Sequence, residues 1–151
     1  HMDDFQIFRI DGKAALLVKI VPSISPIFDN NPAYQVYDYA SDSGMLTNYE
    51  TYFLAGSNLR PEKGGEAVSN WNLEYDFRKT YNLPELNAAT VEKLARAVRT
   101  DEAVRVDYAD FYDVEGPVAF RADTIDDYSC AILNTTPAEY RRCTEAANRT
   151  R

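Results

Sequence analysis

The sequence predicts an α+β fold in which antiparallel strands occupy the N-terminal part and helices the C-terminal part. Three observations carry that prediction. Alternating apolar residues flank Asp11-Gly12, a dipeptide suited to a two-residue hairpin turn. The hydrophobic period lengthens after the Pro61-to-Gly65 breaker. A Thr-Pro-Ala-Glu helix start stands near the C-terminus at Thr136 to Glu139. The division expected is residues 1–60 as strands with a long loop, and residues 61–151 as a helical subdomain.

Taken in order, Phe5 to Ile10 alternates, and Ala14 to Val21 resumes after the turn as an apolar strand that reads as buried on both faces. Pro22, Pro26 and Pro32 cannot donate to a strand ladder, so the stretch between them, with Asp29-Asn30-Asn31, reads as a rigidified loop. Ala33 to Tyr39 and Leu46 to Leu54 form a second antiparallel pair across the Ser41-Asp42-Ser43-Gly44 turn. Trp71, Tyr75, Arg78 and Tyr81 recur at three- and four-residue steps and predict a helix. Val91, Leu94, Ala95 and Val98 give the next helix its apolar face, and Asn87 caps it. A further helix begins near Thr100-Asp101-Glu102, runs through Phe111 and stops before Gly116-Pro117. The Asn134-to-Pro137 turn folds the last two short helices back on each other.

Size and charge bound the function. The chain has 151 residues, 45% of them hydrophobic and 26% charged, enough for one globular core. Its formal charge of −8, with no local cluster of Lys and Arg, argues against a nucleic-acid polymer or an anionic lipid surface as partner. The longest apolar run, Ala14 to Val21, is interrupted by Lys19 and falls far short of the roughly 20 residues that span a bilayer. His1-Met2-Asp3-Asp4 has neither the basic region nor the apolar core of an export signal, so any such signal is expected upstream or not at all.

No constellation completes an active site. His1 is the sole histidine, which leaves no Ser-His-Asp or Cys-His arrangement with structural support. The carboxylates read as a solvated acidic surface; Asp3-Asp4, Asp126-Asp127 and the Asp107-to-Asp113 run lack the internal Gly and closing Glu of a calcium loop. Gly64-Gly65 lacks the flanking strand and the Lys-Ser/Thr of a phosphate loop. The eleven tyrosines read first as packing residues and second as a binding face. Cys130 and Cys143, the only cysteines, either form a disulfide or stay as two buried thiols. Asn134-Thr135-Thr136 and Asn148-Arg149-Thr150 match a common glycosylation pattern that carries little weight alone.

Four segments in register resemble one family. Asn31-Pro32-Ala33-Tyr34-Gln35-Val36-Tyr37 is similar to the Asn-Pro-x-(apolar or Tyr)-Arg-(apolar)-aromatic stretch that follows the catalytic domain of acid sphingomyelinases and sphingomyelinase-like phosphodiesterases. Tyr49-Glu50-Thr51-Tyr52-Phe53-Leu54 resembles their His-Glu-Thr-Tyr-x-Leu strand. Trp71, Leu73, Tyr75 and Thr80-Tyr81-Asn82-Leu83 resemble Trp-x-Leu-x-Tyr followed by Thr-Tyr-Gly/Asp-apolar. Cys130-Ala131-Ile132-Leu133-Asn134 through Cys143 resembles the terminal cysteine segment, which implies a disulfide between the two.

The resemblance implies a calcineurin-like metallophosphoesterase parent in which two zinc ions activate water and polarise a phosphoryl oxygen. The strands before residue 60 would end its catalytic sandwich. Met2-Asp3-Asp4-Phe5 resembles the residues after the family's Gly-His-Thr-His motif, which puts His1 at its final zinc-ligating histidine, unless His1-Met2 is a cloning remnant. All earlier metal motifs are absent, so zinc binding and hydrolysis belong to the parent and its catalytic portion, and no residue here is assigned a catalytic role. The loop from Pro22 to Tyr34 would lip the cleft, with Ile27, Phe28, Asn30, Asn31 and Tyr34 the candidates to meet a small phosphodiester substrate. A secreted or periplasmic location follows from the disulfide and the resemblance. The other reading is a stand-alone, non-catalytic module that binds a partner or itself and is expected to be monodisperse. The enzyme reading expects instead an exposed strand edge from Phe5 to Val21, where the rest of the sandwich would pair, and hence a tendency to form a homodimer.

Overall fold

A computed structural model of the chain describes residues 2–26, 30–55, 70–116 and 124–149. Strands β1 (Asp4–Ile10) and β2 (Lys13–Ile20) form an antiparallel hairpin; β3 (Ala33–Tyr39), β4 (Leu46–Phe53) and β5 (Asn72–Asp76) form a separate antiparallel sheet in the order β3-β4-β5. Helices α1 (Phe77–Thr80), α2 (Ala88–Thr100), α3 (Glu102–Tyr112), α4 (Ile125–Leu133) and α5 (Pro137–Asn148) follow. The fold is thus α+β, strands first and helices last.

Local chemistry sets the turns and caps. Asp11 and Gly12 both take positive φ, 50° and 75°, as a turn matched to the right-handed twist of a hairpin requires. Asn87 and Thr90 cap α2 reciprocally, each side chain accepting from the other's backbone N–H. Thr136 accepts from the Glu139 N–H at the start of α5, with Pro137 in the first turn. α4 and α5 pack against each other and are joined by the Cys130–Cys143 disulfide, Cα to Cα 5.8 Å. Closing this loop stabilises the fold by about 3 kcal/mol in the chain-entropy picture.

One core joins strands and helices. Phe5 and Ile7 of β1, Tyr49 of β4, Tyr75 of β5 and Phe77 of α1 pack against Val91, Leu94, Ala95 and Val98 of α2, Tyr108 of α3, and Ile125 and Ile132 of α4. The apolar face expected for α2 is therefore its buried face.

Two local expectations fail. The segment 71–81 is not a continuous helix: residues 72–76 are β5, and only one helical turn follows. A four-residue apolar step such as Trp71 to Tyr75 fits a strand as well as a helix, and here the free edge of β4 supplies hydrogen bonds through Thr51↔Tyr75 and Tyr52↔Leu73. Glu74 has no partner in that register and forms a bulge, after which the Asp76 carboxylate accepts from the Lys79 N–H and starts α1. The second failure is β2, which is covered on one face only. Leu17 and Lys19 turn toward the core, while Leu16, Val18 and Ile20 are exposed and lie opposite Phe8, Gln6 and Asp4 of β1. No second layer covers that side among the described residues.

Candidate functional site

The polar centre of the molecule forms where the chain enters β1. The Asp3 backbone N–H donates to the Tyr112 carbonyl, 2.9 Å, and the residue is 3% exposed. One carboxylate oxygen pairs with the Lys19 ammonium. The other accepts from Gln35 Nε2 (2.6 Å), Tyr75 OH (2.9 Å) and Thr51 Oγ1 (3.2 Å). A second tier holds these donors: Tyr37 OH donates to Gln35 Oε1 at 2.6 Å, and the Tyr49 and Tyr75 hydroxyls lie 2.7 Å apart.

Strand geometry explains the convergence. Gln35 and Thr51 are cross-strand partners on β3 and β4, and Thr51 pairs with Tyr75 on β5, so the three donors form a row across the sheet. Lys19 reaches in from β2, donates also to the Ile20 carbonyl at 2.9 Å, and lies 4.6 Å and 5.0 Å from the Phe5 and Tyr49 ring centres. Burial lowers its ammonium below the usual lysine range, and the Asp3 carboxylate opposes that fall. Lys19 thus supplies the positive charge at Asp3.

Neighbouring groups are strongly perturbed. Burial raises Asp4 to about 6, although Tyr108 OH donates to it at 2.8 Å. Glu74, the bulge residue of β5, has both carboxylate oxygens buried without a hydrogen-bond partner. Burial first, then the charges of Asp3, Glu115 and Asp113, push it to about 9, so it is protonated at neutral pH. The buried tyrosines Tyr49, Tyr75 and Tyr108 and the half-buried Tyr81 are all raised by desolvation and remain neutral.

The expected cleft residues distribute unevenly. His1, Ile27 and Phe28 lie outside the described residues. Asn30 is buried, and its amide donates to the carbonyls of Asn31 (3.1 Å) and Ser23 (3.4 Å). Asn31 reaches the Val114 and Glu115 carbonyls at 2.7 and 3.2 Å, tying the loop to the end of α3. Tyr34 is on the outer face of the sheet, against Tyr52 and Trp71 at 5.4 and 4.9 Å between ring centres. Asn30 and Asn31 thus share one loop anchor and Tyr34 stands apart on the sheet surface. The Asn134 amide donates to the Cys130 carbonyl at 2.9 Å and closes α4.

Reading the acids as solvated surface misses Asp3, Asp76 and Asp113, all under 9% exposed. Lys19 was the available signal, because a lone lysine in an apolar strand needs a buried partner. The described residues do not fit a zinc centre: no three of their His, Cys, Asp or Glu side chains group to hold an ion, and both Asp3 oxygens are occupied by protein donors. No helix among them is long and apolar enough to cross a membrane.

The described residues thus combine an antiparallel sheet, a helical pair joined by a disulfide, and a buried acid at the entry to β1. Comparison with known proteins gives the chain its family. The model of the acid sphingomyelin phosphodiesterase C-terminal region matches residues 13–150, and this chain belongs to that family. Over 108 residues it is 29% identical to a sphingomyelin phosphodiesterase of Homo sapiens, covering 67% of this chain and 17% of that protein. It is 27% identical over 157 residues to a cyclic GMP-AMP phosphodiesterase of Rattus norvegicus (95% and 34%), and 21% identical over 159 residues to sphingomyelin phosphodiesterase B of Dictyostelium discoideum (95% and 24%). The chain therefore spans between 17% and 34% of the length of these relatives.

Proposed function

We propose that this chain is the C-terminal portion of a zinc-dependent, sphingomyelinase-like phosphodiesterase, and that it supports and lips the active site without catalysing hydrolysis itself. The observation that carries this reading is the fixation of Asp3. Four side chains and one backbone carbonyl hold it two residues after the position that the family resemblance gives to the last metal-ligating histidine. A carboxylate held so firmly sets where the preceding backbone can run, which is what a metal site assembled from distant segments requires. The zinc ions would supply Lewis acidity and an activated water when bound to the catalytic portion; the role of these residues is to position the chain and bound the cleft through the loop anchored by Asn30 and Asn31.

The catalytic portion is the first partner of this reading. The exposed stripe of Phe8, Leu16, Val18 and Ile20 on the outer side of the hairpin is its proposed seat, since such a face buried against another sheet would contribute about 25 cal/mol for each Å² covered. The substrate class is a small phosphodiester or phosphoanhydride, in line with the sphingomyelin and cyclic dinucleotide named for its relatives. The disulfide agrees with a secreted or periplasmic location. The division at residue 60 remains part of the proposal.

The test compares the 151-residue chain with a longer protein carrying the family's metal motifs ahead of it, on a chromogenic phosphodiester with added zinc. Turnover is expected from the longer protein alone; turnover by the short chain would overturn the reading. The exposed stripe also favours the second reading, a self-associating module. Sedimentation of the longer protein separates the two, because the stripe is covered within one chain in the first case and between chains in the second.

A further inference from the structure

Two Asn-x-Thr triplets flank α5, Asn134-Thr135-Thr136 ahead of it and Asn148-Arg149-Thr150 at its end. Each sets an amide two positions before a hydroxyl, the pattern on which an oligosaccharide is transferred in a secretory pathway. The fold treats the two differently. The first is invested in the turn between the last helices. Asn134 is half-buried, and its amide donates at 2.9 Å to the carbonyl of the disulfide-bonded Cys130. The Thr136 hydroxyl donates to the Glu139 carboxylate at 2.6 Å and accepts from the Glu139 N–H at 3.3 Å, as the cap of α5. A bulky substituent on Asn134 would crowd the end of α4 and the turn that carries that cap.

The second triplet is presented to solvent. Helix positions three, four and seven apart share a face. Arg141, Glu145 and Asn148 form such a set on α5, and all three are exposed. Cys143 and Ala147, one turn apart, lie on a different side: Cys143 carries the disulfide to α4, and Ala147 is buried. A sugar on Asn148 would therefore extend from the polar face of the helix and displace no packed group. We propose that Asn148 is an attachment site for an N-linked oligosaccharide, and that Asn134, with the same pattern, stays unmodified as a helix cap. The donor class is a lipid pyrophosphate-linked oligosaccharide. A bond forms between Asn148 Nδ2 and the first sugar carbon, the bond from that carbon to the pyrophosphate oxygen breaks, and the amide gives up one proton as the lipid pyrophosphate departs. The inference rests on the secreted location proposed above.

The test places an export signal ahead of the 151-residue chain and expresses it in a eukaryotic secretory host, so the outcome reports on the acceptor and not on the natural location. Intact mass before and after peptide N-glycosidase should show one glycan, whose removal converts Asn148 to Asp. Asn148→Gln and Thr150→Ala should each abolish it, Thr150→Ser should retain it, and Asn134→Gln should leave it in place. Total cell protein is read beside the secreted fraction, which keeps a poorly folding variant measurable. An unmodified chain, a glycan that survives Asn148→Gln, or a glycan found on Asn134 would overturn the proposal.

Discussion

Asp3 and Glu74 are buried carboxylates in one interior, and their environments are opposite. Asp3 receives an ammonium, an amide and two hydroxyls, whereas neither oxygen of Glu74 receives any hydrogen bond. The protein meets the cost of a buried charge at Asp3 by bringing donors from β2, β3, β4 and β5, and it meets the cost at Glu74 by leaving the proton on. Register decides between them. Asp3 lies at the end of a cross-strand row of polar partners; Glu74 is the extra residue in the bulge and pairs with nothing in that row.

Breaking the first environment should have the largest effect. Asp3→Ala leaves the buried Lys19 ammonium uncompensated and should cost about 3–5 kcal/mol in a denaturant titration. Replacing both partners, as Asp3→Asn with Lys19→Met, should cost distinctly less, because no unpaired charge remains. Next in size is the disulfide, which touches neither carboxylate and serves as a reference. Cys130→Ala with Cys143→Ala should lower stability by about 3 kcal/mol, and by the same amount in the Asp3 and Glu74 variants, since distant sites add.

The smallest effect should have the opposite sign. Glu74→Met removes a buried polar group without a partner and should raise stability by about 1–3 kcal/mol. The pH dependence gives a second handle. The folded state holds the Glu74 proton up to about pH 9 and the unfolded chain releases it near 4.5, so stability falls as pH rises between those values. Asp4, raised from 3.8 to about 6, adds a fall of the same sign in the lower part of that window. Thermal melts across this range should show a shallower decline for Glu74→Gln than for the natural sequence, and an unchanged slope would contradict the buried, protonated state.

What was legible in the sequence was local. The Asp11-Gly12 turn, the Asn87 and Thr136 caps and the apolar face of α2 each depend on residues a few positions apart, and each appears where expected. The cysteine pairing needed the family resemblance to decide between a disulfide and free thiols. β5 was missed because its apolar spacing satisfies two periods and the choice was made by the edge of β4, nineteen or more residues earlier in the chain. The Asp3 centre was missed for the same kind of reason: its partners stand 16, 32, 48 and 72 positions away, and only the topology brings them together. The single hint within reach is Lys19, which in the sequence looks like a break in an apolar run and in the fold is one half of a buried pair.

If these residues position a metal centre without containing it, the decisive quantity is the zinc retained by the purified 151-residue chain after loading and exhaustive dialysis. Metal analysis should find no tightly held zinc. Two equivalents per chain, kept against a competing chelator, would contradict the account.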